Sequence, residues 1–347
     1  MPIAPVAPVA PRTATTPIAD RRTAGARGER APRRVARWLL VGAALYAVAR
    51  GAEGALRPLP AGLSVRGAMS PAEEVTFLAD VTGIGPPDAS TADAAPRVPL
   101  PPPAAPAGRM PIGWDRRVDQ RIFDAVFALI DGAKQGVLVD MFLYNRWQGA
   151  IPERTRAVTE QLTEHLVAKK RAAPDVDVVL ITDPINTVYG SVPSPDLDAL
   201  RAAGALVIVT DLARLPDSNP LWSGPWRAFV QPFGRRGRGW LPNPFAPAGP
   251  DVTARAWLEL LNFKANHRKV VVADTPDGPA AIVTSANPHD GSSAHGNVAL
   301  RVRGAVVGSI VASERAVAAM SGTTLPALGW ADAAQAPDSG GSTRAGA

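Results

Sequence analysis

The chain is poor in histidine, and one of its four imidazoles stands two residues from a lysine, in the stretch NHRKVVVAD: His267, Lys269 and then Asp274, spaced H-x-K-x4-D. A neutral imidazole beside an ammonium suits attack on an electrophile that carries negatively charged oxygens, with histidine as nucleophile and lysine neutralising the oxygens. Phosphorus in a phosphodiester is such an electrophile. Shortly downstream, Ser285 and Asn287 bring a hydroxyl and an amide two residues apart, able to donate to the same phosphate or to hold the lysine.

These groups need a strand beneath them. If Arg268 to Ala273 are extended, His267 and Lys269 project from one face, because side chains alternate with period two. Asp274 is an odd number of positions from His267 and faces away unless the strand bends there; Thr275, Pro276, Asp277 and Gly278 supply a turn at that point. Upstream, Phe123, Val126, Phe127 and Ile130 recur at helical spacing, followed by a buried-strand run GVLVDMFLYN. Val158, Leu162 and Leu166 mark a second helix, VDVVLITD a second strand, SPDLDALRAAG a short capped helix and ALVIVTD a third strand. Later come AAIVTSAN, NVALRVRG and a helical SIVASERAVAAM. The alternation predicts an α/β sandwich, a mostly parallel mixed sheet flanked by helices on both faces, with chemistry at the carboxyl ends of the strands.

Composition narrows the chemistry further. Cysteine is absent, which excludes disulfides, thiolate nucleophiles and cysteine-ligated metal centres. The net charge of +6 resides in residues 1–37, where eight arginines face Asp20 and Glu29; the remainder carries 29 basic and 29 acidic residues. That balance counts against a dedicated nucleic-acid groove. Residues 1–37 read as a disordered basic tail. Residues 38–56 read as an apolar membrane-targeting or anchor helix: Trp38 to Ala49 is short of the roughly 20 residues of a full span but suits a signal peptide, with Ala47-Val48-Ala49 as a small-x-small site, or an interfacial helix. The competing reading is an ordinary buried helix. Residues 57–112 hold the unit VTFLADVTG and a Pro/Ala linker, residues 113–320 the catalytic domain, and residues 321–347 a second disordered tail.

The motif H-x-K-x4-D followed by Ser-x-Asn resembles the HKD signature of the phospholipase D superfamily. VTFLADVTG, VLVDMFLYN, ITDPINTVYG, DSNPLWSGPWRAF, GRGWLPNPF and LLNFKANHRK are similar to the amino-terminal half of bacterial phospholipase D-like proteins related to the cardiolipin and phosphatidylserine synthases, over roughly residues 57–312. Val283 and Thr284 stand where many members carry glycines. The resemblance implies a phosphodiesterase or phosphatidyltransferase acting on phospholipids through a phosphohistidine on His267. Lys269 would stabilise the phosphate, Asp274 would orient, and Ser285 and Asn287 would bind phosphate; no metal or organic cofactor would be needed. It also implies two such motifs facing each other. No second one is present: His165 is followed at the lysine position by Val167, His289 by Gly291 and His295 by Asn297. The second half is then expected from homodimerisation or from a missing carboxyl-terminal half, at a membrane surface. A homodimeric nuclease and an inactive half that binds lipid or a partner are the alternatives.

Two further clusters carry weaker signals. The insertion between the third strand and the motif holds Trp222, Trp226 and Trp240 with Arg235 and Arg236; it reads as a self-packed lid first and a lipid contact second. His289, Asp290 and His295 could be drawn as a metal site, but the Gly-Ser-Ser spacing between them is better explained by loop polarity. His165 lies near the apolar stripe of its helix.

Overall fold

The fold was established from a computed structural model that describes residues 30–64, 70–85, 115–149, 155–235, 237–293 and 295–332. The chain divides into two units, residues 1–47 and residues 48–347. The first helix, α1 (Arg30–Ala55), crosses that boundary. Its stretch Arg33–Ala55 is long and apolar enough to cross a membrane by length and composition. At 1.5 Å per residue those 23 residues extend about 34 Å, against about 30 Å of bilayer hydrocarbon. Only 11% of its most apolar window is buried, which sets it apart from a core helix.

The larger unit is a mixed α/β structure built on one eight-stranded sheet in the order β2-β1-β8-β7-β6-β3-β4-β5. The strands are β1 (Glu74–Gly85), β2 (Asp115–Asp119), β3 (Gly136–Met141), β4 (Asp177–Thr182), β5 (Leu206–Val209), β6 (Lys269–Ala273), β7 (Ala280–Thr284) and β8 (Asn297–Arg303). The helices relevant to the site are α2 (Ile122–Gly132), α3 (Val158–Ala172), α4 (Pro195–Ala202), α5 (Pro220–Phe229), α6 (Ala254–Glu259), α7 (Val306–Met320) and the short α8 (Gly329–Asp332).

The expectation of a mostly parallel sheet needs correction. β3, β4 and β5 are parallel, as the helix-linked crossovers require, but β6, β7, β8, β1 and β2 pair antiparallel. The turn Thr275–Gly278, closed by reciprocal backbone bonds between its ends, folds β7 back onto β6. A hairpin needs only such a turn, whereas a parallel neighbour needs a crossover.

Period-two alternation sorts the strands onto two cores. Val137, Val139, Met141, Leu180, Val271, Ala273 and Ile282 pack under α2, α3 and α4. Leu138, Val179, Ile181, Val270, Val272 and Val302 pack under α7. Local signals set the helix starts: Ser194 accepts from Leu197 N–H ahead of Pro195 in α4, and the Asp80 carboxylate of β1 accepts from Arg121 N–H at 2.7 Å and Ile122 N–H at 2.9 Å at the start of α2.

Two boundaries differ from expectation. Leu325, Leu328 and Ala331 are buried in the α7 core, so the ordered domain continues to Asp332 instead of ending at 320; a segment of seven positions is too short to show a period. The aromatic insertion is also more regular than its Pro and Gly content suggests, since Pro220 at the first turn starts α5 and Pro225 sits inside it. The disordered tail expected over residues 1–29, most of the expected Pro/Ala linker (residues 86–114) and the tail expected over residues 333–347 fall outside the described residues.

Candidate active site

His267 lies two residues before β6, at the edge where the parallel strands β3 and β4 end, β7 ends and β6 begins. Its position is fixed from both flanking residues. Asn266 is buried; its backbone N–H donates to Asp183 Oδ2 at 2.7 Å, and its amide donates to both oxygens of Asp140 at 2.9 and 3.0 Å. On the other side, Arg268 accepts from Phe142 N–H through its carbonyl at 2.9 Å and pairs with Glu314 of α7 at 3.0 Å. The histidine ring itself is exposed, packed at 4.6 Å and 54° against Phe142.

Lys269 is buried and reaches back to the histidine: Nζ lies 3.4 Å from both ring nitrogens and donates to the His267 carbonyl at 3.1 Å. It also stands 5.3 Å from the Phe142 ring centre, within cation–π range. The same-face expectation for His267 and Lys269 therefore matches their positions. Partial burial, then the neighbouring ammonium, holds His267 below the usual imidazole pKa, which favours the neutral, nucleophilic ring. Burial lowers Lys269 as well, against the opposing pull of Asp140.

Asp274 requires a correction. It sits at the opposite end of β6, separated from Lys269 by the length of the strand, and its carboxylate is fully engaged there. Oδ1 accepts from Lys134, Gln135 and Gly136 N–H at 3.1, 2.8 and 2.9 Å, and Oδ2 from Lys134 at 3.0 Å. Its task is to close the turn between α2 and β3, so the orienting role expected of it has no geometric basis. Ser285 is also committed elsewhere: its hydroxyl donates to Asn297 Oδ1 and accepts from Val298 N–H, both at 3.0 Å, tying β7 to β8. Asn287 is closer to the edge, accepting from Leu143 N–H at 3.1 Å just past β3.

No protein-family model matches this chain, and no curated protein matches it. Among solved structures it is similar to NUC from Salmonella typhimurium, a phospholipase D family member, at 14% identity over 52% of this chain and 74% of that one, with a TM-score of 0.26. At that TM-score the likeness assigns no residue a role.

Several participants escape the sequence reading. Asp140, next to last in β3, is fully buried; burial first, then the Glu314 carboxyl, pushes its pKa well above the ordinary range. The facing Glu314 Oε2 is buried without a hydrogen-bond partner. Asp183 is pushed to about 6 by burial, against the backbone bonds it accepts. Asn186 knits the strand ends, accepting from Tyr144 N–H and donating to the Phe142 carbonyl, both at 2.8 Å. A carboxylate inside the apolar run GVLVDMF was the available signal for Asp140; nothing local marked Asn186 or Glu314.

His165 and His289 make local contacts. His165 stacks on Phe127 at 4.3 Å and bonds Asp131 at 2.8 Å. His289 contacts Ser292 at 3.0 Å, with its pKa lowered to about 4 by burial, while Asp290 accepts from Thr159. In the insertion, Trp222 donates to the Leu258 carbonyl at 3.1 Å, Trp226 is buried, Arg235 pairs with Glu259, and Trp240 is exposed. Arg236 lies outside the described residues.

Proposed function

We propose that this chain carries one half of a phospholipase D-like active site acting on phosphodiesters of phospholipids. The observation that carries the reading is the His267–Lys269 pair at an open strand edge: an exposed imidazole with a depressed pKa, a buried ammonium 3.4 Å away, and both flanking residues clamped. A nitrogen of His267 attacks phosphorus, forming a P–N bond as the P–O bond to the leaving alcohol breaks. Lys269 and the Asn287 amide stabilise the charge on the non-bridging oxygens. Water or an acceptor alcohol then displaces histidine from phosphorus, which separates hydrolysis from phosphatidyl transfer. The proton for the leaving oxygen comes from a second histidine, supplied by a second half.

A surface suited to that second half lies next to the edge. Val75, Phe77 and Val81 of β1, Val298 and Leu300 of β8 and Val283 of β7 are all substantially exposed. Register puts Phe77 opposite Leu300 and Leu300 opposite Val283, which makes one apolar patch beyond the part of the sheet covered by α7. Contiguous apolar surface of this kind marks an interaction site. A second copy of the chain or a separate carboxyl-terminal half is the proposed occupant, with the apolar helix α1 as membrane anchor or signal.

The test is phosphodiesterase activity of wild type and His267→Ala on phospholipid vesicles and on DNA, together with the size of the purified protein. Lipid-directed activity lost in His267→Ala supports the reading. Activity on DNA alone moves the assignment to a nuclease, and equal activity of the two proteins overturns the catalytic role of His267.

A further inference from the structure

The end of α1, helix α5 and the segment leading into β6 line a cavity of about 210 Å³. Five of its lining residues are cationic: Arg50, Arg57, Arg227, Arg235 and Lys264. Three carboxylates face these cations. Asp217 pairs with Arg227 and, at 2.8 Å, with Lys264; Glu259 pairs with Arg235; Glu53 pairs with Arg50 and Arg57. Five cations against three anions leave the enclosure two positive charges in excess. Burial alone would raise the Asp217 pKa, but Arg227 and Lys264 outweigh it and hold the carboxyl below its usual range, so its charge is already spent on its partners.

Donors on residues that line this cavity are also left over. Arg50 Nε, Trp226 Nε1 and Arg227 Nε are each buried without a hydrogen-bond partner, and all three residues line this one space. Trp226 is 5% exposed and Arg227 7%. Buried donors are normally satisfied, and orphans are costly. Three orphaned N–H groups from separate side chains, in a region of excess positive charge, call for an anion with several acceptor oxygens spread in three dimensions. Phosphate meets that description, and guanidinium groups match its geometry. The volume is below the roughly 300–1,000 Å³ of drug-sized sites, which suits a phosphate with a small substituent. A neighbouring cavity shares Trp226, Gln231 and Arg235 and adds Tyr189 and Phe233, giving room for the rest of a phosphoester. None of His267, Lys269 and Asn287 lines either space.

We infer that this cavity is a second, non-catalytic phosphate site, which holds the phosphate of a phosphoester through Arg50, Arg57, Trp226 and Arg227. The phosphoester is either a lipid head group or a free small molecule. The site stands independently of the proposed reaction at His267.

The test is done on the full chain carrying His267→Ala and Lys269→Ala, which silences phosphate binding at the catalytic edge. Titrations use inorganic phosphate, glycerol 3-phosphate, and vesicles of phosphatidylglycerol with phosphatidylcholine vesicles as control. Trp226→Phe keeps the ring and removes one donor; Arg50→Gln removes a charge at the rim. Each is expected to weaken binding about tenfold or more, as loss of a hydrogen bond to a charged group does, with the unliganded melting temperature serving as the fold control. Binding of free phosphate or glycerol 3-phosphate, weakened in both variants, supports the site with a soluble ligand. Binding to phosphatidylglycerol vesicles alone, weakened in the same way, supports it with a lipid head group. Absence of binding to every probe overturns the inference, as does affinity unchanged by Trp226→Phe.

Discussion

Replacing Asp274 with alanine separates a structural carboxylate from a catalytic one. Its side chain accepts from three consecutive backbone N–H groups, at Lys134, Gln135 and Gly136, at 2.8 to 3.1 Å. Gly136 also begins β3, whose far end borders the His267 edge. Alanine would orphan all three donors. Each lost bond to a charged acceptor is worth about 1.5–3 kcal/mol when buried, but Lys134 and Gln135 lie at a turn where water can take over part of the demand. A net loss of about 4 kcal/mol follows, near the upper end for single substitutions. At about 2–4 °C per kcal/mol for a domain of this size, the melting temperature drops by about 8–16 °C. Asp274→Asn keeps Oδ1 as acceptor for the three amides and should lose about 1–2 kcal/mol, mainly from the missing charge. The assay is thermal unfolding alongside turnover of bis(p-nitrophenyl) phosphate well below the transition. Asp274→Asn is expected to hold turnover within about threefold of wild type, because strained geometry 5 residues away is the only route by which it can act. An Asp274→Asn protein with wild-type stability and the turnover of His267→Ala would refute this account and return the residue to the chemistry.

Other outcomes follow from the same geometry. Leu328 is completely buried under α7, so Leu328→Ala should cost about 2–5 kcal/mol in chemical denaturation; an unchanged midpoint would put the domain end back near residue 320. His267 should titrate below 6.5 when followed by NMR, and Lys269→Met, by removing the neighbouring ammonium, should move the midpoint upward; a midpoint that does not move shows the pair to be uncoupled. Asp183 has its pKa raised from 3.8 to about 6 by burial. Between those values the folded state binds more protons than the unfolded one, so stability falls as pH rises through that window, by on the order of 3 kcal/mol for this group. Asp183→Asn should flatten that part of the stability profile, and parallel wild-type and variant curves would show the burial to be unimportant.

How far the sequence reached depended on the range of the interaction concerned. Strands and helices with a clear period, from α2 to β5 and again from β6 to α7, were legible because each apolar stripe is a local pattern. Sheet direction was only half legible: the crossovers through α3 and α4 dictate parallel strands, while the turn at Thr275–Gly278 dictates a hairpin. The His267–Lys269 pairing was readable from parity. Parity also places Asp274 on the other side, in keeping with its bonds to the turn before β3. Asp140, Asn186 and Glu314 were out of reach for a different reason: they act across 42 to 174 positions of chain, on Tyr144, Asn266 and each other, and no periodicity encodes such distances.

The end of α1 bears on how the protein can be cut. Arg227 Nη2 donates to the Arg50 carbonyl at 2.7 Å, Asp217 N–H donates to the Gly54 carbonyl at 3.0 Å, and Arg57 bonds the Ala213 carbonyl. A Cβ at Gly54 would collide with both Arg227 and Asp217. The last turns of the apolar helix are therefore also the first turns of the globular domain. A soluble version that starts at Arg50 keeps every one of these contacts, and cleavage after Ala49 would leave the same chain. Trimming the whole hydrophobic segment through Leu56 instead strips a partner from a buried ion pair and opens the wall of the basic cavity, so such a truncation should aggregate although it removes only residues that a hydropathy profile marks as dispensable.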